Sequence, residues 1–379
     1  MHFGFFDGLR GIAAVAVVLY HWRTHETMTE LVAVLPTPFV EWILDYGLLG
    51  VAVFFVLSGF VISLSLDRWR RPTVDRAAAG PEPAAQPRRG SVGAFMVKRL
   101  LRLTPPYYAA IVLALVMAFG PVVVDGDPYE PGLAPFSVGR FVAHLFYLQE
   151  IVGYVNFNDV FWTLAIELQF YLALVVVWLA KEPLVRHVGP RAEALVVVTA
   201  AVAGLAWPFG VVAVEGRSPW FTALWYSFAV GALLYLHHRR RLSGLIVGAY
   251  VALLALAGFL GGPNQGFIFA TVITASLILA AIRFEKLGTW LTSPVFEFFG
   301  RISYSLYLVH TPVLGAGLVT FGLLLPDGLV WDAVSTVLAL AVVVAASTVF
   351  YHLFELPSIR LSKRITRSAS GSAVPVGSH

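Results

Sequence analysis

An all-α bundle of membrane-crossing helices is the fold class this sequence predicts, and three observations predict it. The chain is 58% hydrophobic and only 13% charged over 379 residues, more apolar than a water-soluble globule of this length tolerates. Apolar runs suited to spanning a bilayer recur along its whole length, and basic residues are sorted between the segments that join them. The runs lie near residues 4–22, 42–66, 100–124, 160–180, 192–214, 219–237, 244–261, 266–283, 295–324 and 330–354, which predicts about ten transmembrane helices. With the N-terminus inside, 22 of the 26 Lys and Arg residues fall on cytoplasmic segments, Arg23, Arg140 and Arg217 fall outside, and Arg10 lies in the membrane. The positive-inside rule therefore predicts that both termini are cytoplasmic. The first run has no basic leader and reads as a retained helix and not a cleaved signal.

Residues 137–151 are short for a crossing and mix Arg140, His144, Gln149 and Glu150 with aromatics. They are expected to form one extra re-entrant or surface-lying segment on the extracytoplasmic side, because a crossing there would invert every later loop. A single transmembrane domain is expected over residues 1–360. A cytoplasmic Pro/Ala/Arg-rich linker is expected at 67–98 and a disordered tail at 361–379. With no cysteine, disulfides, zinc thiolates and thioester nucleophiles are excluded, and neither a metal site nor a nucleic-acid partner is expected.

Ionisable residues inside the apolar runs carry the functional signal, since each is costly in hydrocarbon. Arg10 and His21 are eleven residues apart in FFDGLRGIAAVAVVLYHW. Eleven steps of about 100° fall within about 20° of three full turns, so both project from one helix face, about 16 Å apart. Asp7 is placed to pair with Arg10 at i, i+3. An imidazole can take a hydroxyl proton near neutral pH, and a buried guanidinium can hold a phosphate or a developing negative charge. The same pair suits a proton-coupled carrier.

KRLLRLTPPYY sets Arg99 and Arg102 on one helix face, with Lys98 alongside and Pro105 and Pro106 expected to bend the chain. Arg71 and Arg301 are expected at the same membrane level, making a rim of Arg71, Lys98, Arg99, Arg102 and Arg301. That rim fits a phosphorylated ligand, and it equally fits topology and anionic lipid. FWTLAIELQFYL places Glu167 and Tyr171 on one face, where the carboxylate can orient an imidazole, bind a sugar hydroxyl or, in protonated form, hydrogen-bond one helix to another. GRISYSLYLVHTP lines up Tyr304, Tyr307 and His310 along a helix before Pro312, consistent with a polar cavity or with satisfied structural residues. Ser58 lies mid-span in FFVLSGF, where small residues let helices approach. In FYHLFELP, His352 and Glu355 are expected to form a local pair, with Pro357 stopping the last helix, though that helix could also close the cavity floor.

Taken together, these segments resemble the acyltransferase-3 family of integral membrane O-acyltransferases. The resemblance runs from DGLRG to FELP, roughly residues 3–360, and rests on Arg10 and His21 at the family's basic-x10-His spacing, on GVAVFFVLSGFVIS, RLLR, FWTLAIELQFYL and GRISYSLYLVH. It implies transfer of an acyl group, usually acetyl, from acyl-CoA to a hydroxyl of a carbohydrate or glycosylated metabolite such as a macrolide. His21 then looks like the catalytic base, Arg10 its partner, and Arg99 and Arg102 contacts to CoA phosphates. Many relatives have a second acid where this chain has Leu168, so acid work falls to Glu167 alone. Asp7, Ser58, Tyr171, Tyr304 and His310 are expected to support the substrates. The implied partners are acyl-CoA, a hydroxyl-bearing glycan or glycoside, and the lipid of a bacterial cell membrane. The alternative from another class is a proton-coupled exporter of a glycoside or lipid-linked intermediate, with His21, Glu167 and His310 as a relay.

Overall fold

The computed structural model describes residues 3–25, 28–70, 92–125, 136–188, 191–212 and 218–371, and among them the secondary structure is helical with no strand. Helix α1 spans Gly4–Arg23, followed by the short α2 (Thr29–Ala33) and α3 (Thr37–Phe39). The chain then runs through a π turn at Val40–Leu44 and a 3-10 turn at Asp45–Leu49 into α4, Gly50–Arg70. Next come α5 (Val92–Asp125), α6 (Val138–Leu145), α7 (Phe161–Val188), α8 (Arg191–Ala203) and α9 (Trp225–His238). The order closes with α10 (Gly244–Phe259), α11 (Gln265–Arg283), α12 (Pro294–Leu324), α13 (Leu329–Phe350) and α14 (Leu356–Gly371).

Each of the ten apolar runs contains a helix, and six helices are long and apolar enough to cross a membrane. The segments 161–177, 192–206 and 244–259 are apolar but shorter. Two of the runs are shorter as helices than as apolar stretches. The run at 192–214 breaks at a 3-10 turn, Gly204–Ala206, just before Pro208, which disfavours helix in the residue preceding it. The run at 219–237 becomes helical only at Trp225. Every residue from Trp225 to Leu236 is buried, so α9 is apolar all round because protein surrounds it on every side.

Helix α9 lies against α4 at backbone contact. A Cβ on Gly59 would stand 2.0 Å from the Phe228 carbonyl oxygen, and one on Gly231 would stand 2.1 Å from that of Val56. Around this crossing Phe228 stacks between Phe55 and Phe170, at centroid distances of 4.5 and 3.6 Å. Helix α1 packs along α12 in the same manner, and a Cβ on Gly300 would meet the Asp7 carbonyl oxygen at 2.2 Å. This contact sets the first turns of α1, with Asp7 and Arg10, beside the turn that carries Arg301.

Within residues 137–151 the one helix, α6, has eight residues, too few to cross a bilayer. Ser137 caps it by accepting from the Arg140 amide, and the Arg140 guanidinium donates to the carbonyls of Val155 and Asn156, each at 2.8 Å. His144 is buried, with Nδ1 against the Arg140 carbonyl and Nε2 accepting from the Phe157 amide at 3.1 Å. Burial pushes this imidazole down to about 4 from 6.5, helped by the nearby Arg140 charge and opposed by the backbone bond. A histidine whose folded value is depressed stabilises fully above its unfolded value and loses that contribution as pH falls towards the folded value. Acidification from about pH 6.5 to 4 is therefore expected to remove on the order of 3 kcal/mol. Thermal unfolding of purified protein across that window, beside His144→Gln, checks this: the variant's midpoint should depend less on pH.

Several local expectations are corrected. Pro357 does not stop the last helix. The chain winds wide at Tyr351–Glu355, where the Leu356 amide reaches back five residues to the Tyr351 carbonyl, and this π turn accommodates the proline that follows. Helix α14 then runs to Gly371 and packs on α5, so residues 361–371 are helix where a disordered tail was expected. Of the expected linker, residues 67–70 belong to α4 and 92–98 to α5, while 71–91 lie outside the described residues.

Candidate active site

Helices α1, α4, α5, α7, α12 and α14 and the π turn at Tyr351–Glu355 line a cavity of about 630 Å³. On α1, Arg10 donates to the Asp7 carboxylate at 3.1 Å, the pair that their spacing predicts. Helix α5 contributes Arg99 and Arg102, whose side chains share one face and both line the cavity. The Arg99 guanidinium lies 5.4 Å from the Tyr171 ring centroid and 6.0 Å from that of Phe95, and planar cation and aromatic face attract. Asp7, Arg99, Arg102 and Glu167 all lie within electrostatic reach of Arg10.

Glu167 accepts from two hydroxyls at one oxygen. Ser58 donates to Oε1 at 2.7 Å, and the Tyr171 hydroxyl donates to the same atom. Both bonds use the carboxylate as an acceptor, so this oxygen is committed to holding α4 and α7 together at the cavity wall. Tyr304 donates to the Leu103 carbonyl at 2.9 Å, tying α12 to α5. Arg301 lines the same cavity from an exposed position. Lys98 is not among the lining residues, and Arg71 lies outside the described residues.

His21 is elsewhere. A second cavity, of about 700 Å³, is lined by His21, Tyr20, Asp159, Trp162, Trp207, Tyr226 and Asn264, among others. Here His21 Nδ1 is 2.9 Å from the Val17 carbonyl oxygen and 3.2 Å from Nε2 of His310. Nε2 of His21 is left without a protein partner among the described residues. The helical arithmetic for α1 is right, and yet Arg10 and His21 line different cavities. Glu167 consequently orients neither imidazole, contrary to one of the roles open to it.

Among the described residues, Tyr307 alone lines both of these cavities. Its hydroxyl pairs with that of Thr163 at 2.7 Å, and its ring meets Phe54 edge-on at 5.7 Å. Both side chains belong to the wall, since Tyr307 is 6% and Thr163 5% exposed.

Sequence reasoning did not select Asp159, Thr163, Glu355 or Lys363 as site residues, and all four line one cavity or the other. Glu355 does not pair with His352, which is exposed; its Oε2 accepts from the Ser305 amide at 3.2 Å and hydroxyl at 2.6 Å. The available signal was the near-complete burial a carboxylate in FELP has to justify, 3% exposed here. Among the described residues no group of three His, Cys, Asp or Glu is arranged to hold a metal ion.

A charged cavity and an imidazole-bearing cavity in one helical bundle invite comparison with known proteins. The family model described as an acyltransferase domain, that of acyltransferase-3, matches residues 3–352. The chain belongs to the acyltransferase-3 family. It is similar to an O-acetyltransferase, OatA, of Staphylococcus aureus, with 24% identity over 340 residues, covering 81% of this chain and 50% of that protein. A peptidoglycan O-acetyltransferase, OatA, of Listeria monocytogenes is 24% identical over 390 residues, covering 93% and 55%. A putative membrane-bound transacylase, BcsY, of Komagataeibacter xylinus is 28% identical over 376 residues, covering 94% and 83%. The chain thus spans about half the length of the OatA relatives it matches. No solved structure matches. Membership of the acyltransferase-3 family, together with six helices long and apolar enough to cross a bilayer, marks this as an integral membrane protein.

Proposed function

We propose that this acyltransferase moves an acyl group, acetyl in the first instance, from acyl-CoA to a hydroxyl of a carbohydrate or glycosylated acceptor. The observation that carries the reading is the pair of cavities meeting at Tyr307, one rich in arginine and the other presenting an imidazole nitrogen without a protein partner among the described residues. In the first, Arg99, Arg102 and Arg301 suit the phosphates of CoA, with Lys363 of α14 beside them. In the second, Trp162, Trp207, Tyr20 and Tyr226 offer flat apolar faces to a sugar ring, and Asp159 and Asn264 offer acceptors and a donor for its hydroxyls. That two relatives are named as O-acetyltransferases, one of them acting on peptidoglycan, supports a glycan acceptor.

The proposed topology has ten spans with both termini in the cytoplasm of a bacterial cell, and the sorting of its basic residues supports it. The donor cavity then opens inward and the acceptor cavity outward. In the direct course, His21 Nε2 takes the acceptor hydroxyl proton as that oxygen bonds to the thioester carbonyl carbon. The carbon–sulfur bond breaks, and the departing sulfur receives the proton from Nε2.

Purified protein supplied with acetyl-CoA and candidate glycosides should release free thiol only when a suitable acceptor is present, and should yield acylated acceptor. His21→Ala, folded and monodisperse, should lose about 10²–10⁴-fold in turnover. Substrate-dependent proton flux without thiol release would instead establish the exporter.

A further inference from the structure

We propose that His310 is a positioning residue, one that holds the imidazole of His21 in the tautomer a general base requires. The inference rests on reading His21 as that base, and it is carried by the hydrogen-bond directions around three histidines. Each turns Nδ1 to the carbonyl four residues earlier on its own helix: His21 to Val17 at 2.9 Å, His144 to Arg140 at 2.8 Å and His310 to Leu306 at 3.0 Å. A carbonyl oxygen only accepts, so Nδ1 carries the hydrogen in all three, and in a neutral imidazole Nε2 is then a lone pair.

The three differ in what that lone pair meets. At His144 it takes the Phe157 amide, which uses up both nitrogens and leaves a structural imidazole. At His310 it faces His21 Nδ1 at 3.2 Å. Since His310 Nε2 has no hydrogen and His21 Nδ1 has one, the bond runs from His21 to His310, sharing its hydrogen with the Val17 carbonyl. His310 is fully anchored in turn, with Nδ1 also 2.9 Å from the Tyr307 carbonyl and no exposed surface. Along this chain of bonds only His21 Nε2 remains without a protein partner among the described residues, on a ring that lines the cavity with Asp159.

The opposite tautomer of His21 would put a lone pair on Nδ1 facing two acceptors and a hydrogen on the nitrogen that has to accept the hydroxyl proton. His310 disfavours it. When Nε2 takes the proton, Nδ1–H is already held by two acceptors, so the ring keeps its orientation until the proton passes to the departing thiolate sulfur. A neutral imidazole thereby fills the orienting place that a carboxylate fills in a serine hydrolase triad. Because His310 stands on α12 and His21 on α1, the contact also makes the base sensitive to how those two helices pack.

The test compares His310→Gln, whose side-chain carbonyl can still accept from Nδ1, with His310→Leu, which fills space without accepting. Leucine should lower kcat about a hundredfold, with KM for acetyl-CoA and acceptor changed less than about threefold, and glutamine should recover most of that loss. Equal kcat in the two variants overturns the proposal. Nitrogen-15 spectra of histidine-labelled protein give a readout independent of turnover. In the unaltered protein His21 should carry its hydrogen on Nδ1, and in His310→Leu the two tautomers should mix. A hydrogen on Nε2 in the unaltered protein, or an unchanged spectrum in the variant, overturns the assignment. Absence of thiol release from the unaltered protein would count against acyl transfer alone, because the spectra test the tautomer without it.

Discussion

Gly231→Val will prevent the bundle from assembling. The Cβ that valine adds would stand 2.1 Å from the Val56 carbonyl oxygen and 2.8 Å from the Phe60 amide nitrogen, both backbone atoms of α4. Backbone cannot rotate away as a side-chain end can, so α9 would have to move as a body. The surface it would leave is buried from Trp225 to Leu236 and includes the stacked rings of Phe55, Phe170 and Phe228. Overpacking relieved by side chains costs about 1–3 kcal/mol, and a backbone collision is expected to exceed that range. Close helix approach through small residues is how helices gain packing energy in lipid, so little else compensates for the lost contact. The expected result is near-complete loss of monodisperse protein after detergent extraction. Gly248→Ala in α10 is the control: a Cβ there meets nothing within 4 Å, and the unfolding midpoint should stay level or rise slightly.

The parts of this architecture that depend on composition and helical spacing were legible in the sequence. All ten apolar runs contain helices, Asp7 and Arg10 pair as i, i+3 neighbours, and Glu167 meets Tyr171 one turn on. Errors arise where winding departs from 3.6 residues per turn. The π turn at Tyr351–Glu355 packs more than 3.6 residues into a turn and so rotates less per residue, and the spacing that promised a His352–Glu355 pair instead aims Glu355 at Ser305. A second class of error comes from assembly. Arg10 and His21 share a face of α1, but which cavity each lines is decided by Tyr307, Thr163 and Phe54 on three other helices, and no spacing within α1 encodes that wall. Asp159 escaped notice for a related reason. It precedes α7 in an aperiodic stretch, and the cavity around His21 forms only when that stretch meets the loops near Trp207 and Asn264.

Tyr307→Ala will uncouple thiol release from acyl transfer. If the thioester approaches from the cavity of Arg99 and Arg102 and the base stands in the other, the reacting carbonyl has to cross the wall that Tyr307 shares with both. In the resting arrangement its hydroxyl is held by Thr163 and its ring by Phe54, and in the proposed reaction that wall would keep the donor carbonyl away from water reaching His21. Removing the ring joins the cavities, so water in the acceptor space meets the thioester beside a base able to activate it. Acetyl-CoA hydrolysis without acceptor should rise at least about tenfold, while the fraction of released thiol matched by acylated acceptor falls. Truncating so large a buried side chain also lowers stability by about 3–5 kcal/mol, so the comparison is made with folded protein and with Tyr307→Phe beside it. Phenylalanine keeps the ring and loses only the bond to Thr163, and should stay coupled if bulk separates the two cavities. Uncoupling by phenylalanine would put the barrier in the hydroxyl pair. Tight coupling in Tyr307→Ala would show that the acyl group reaches His21 by another route.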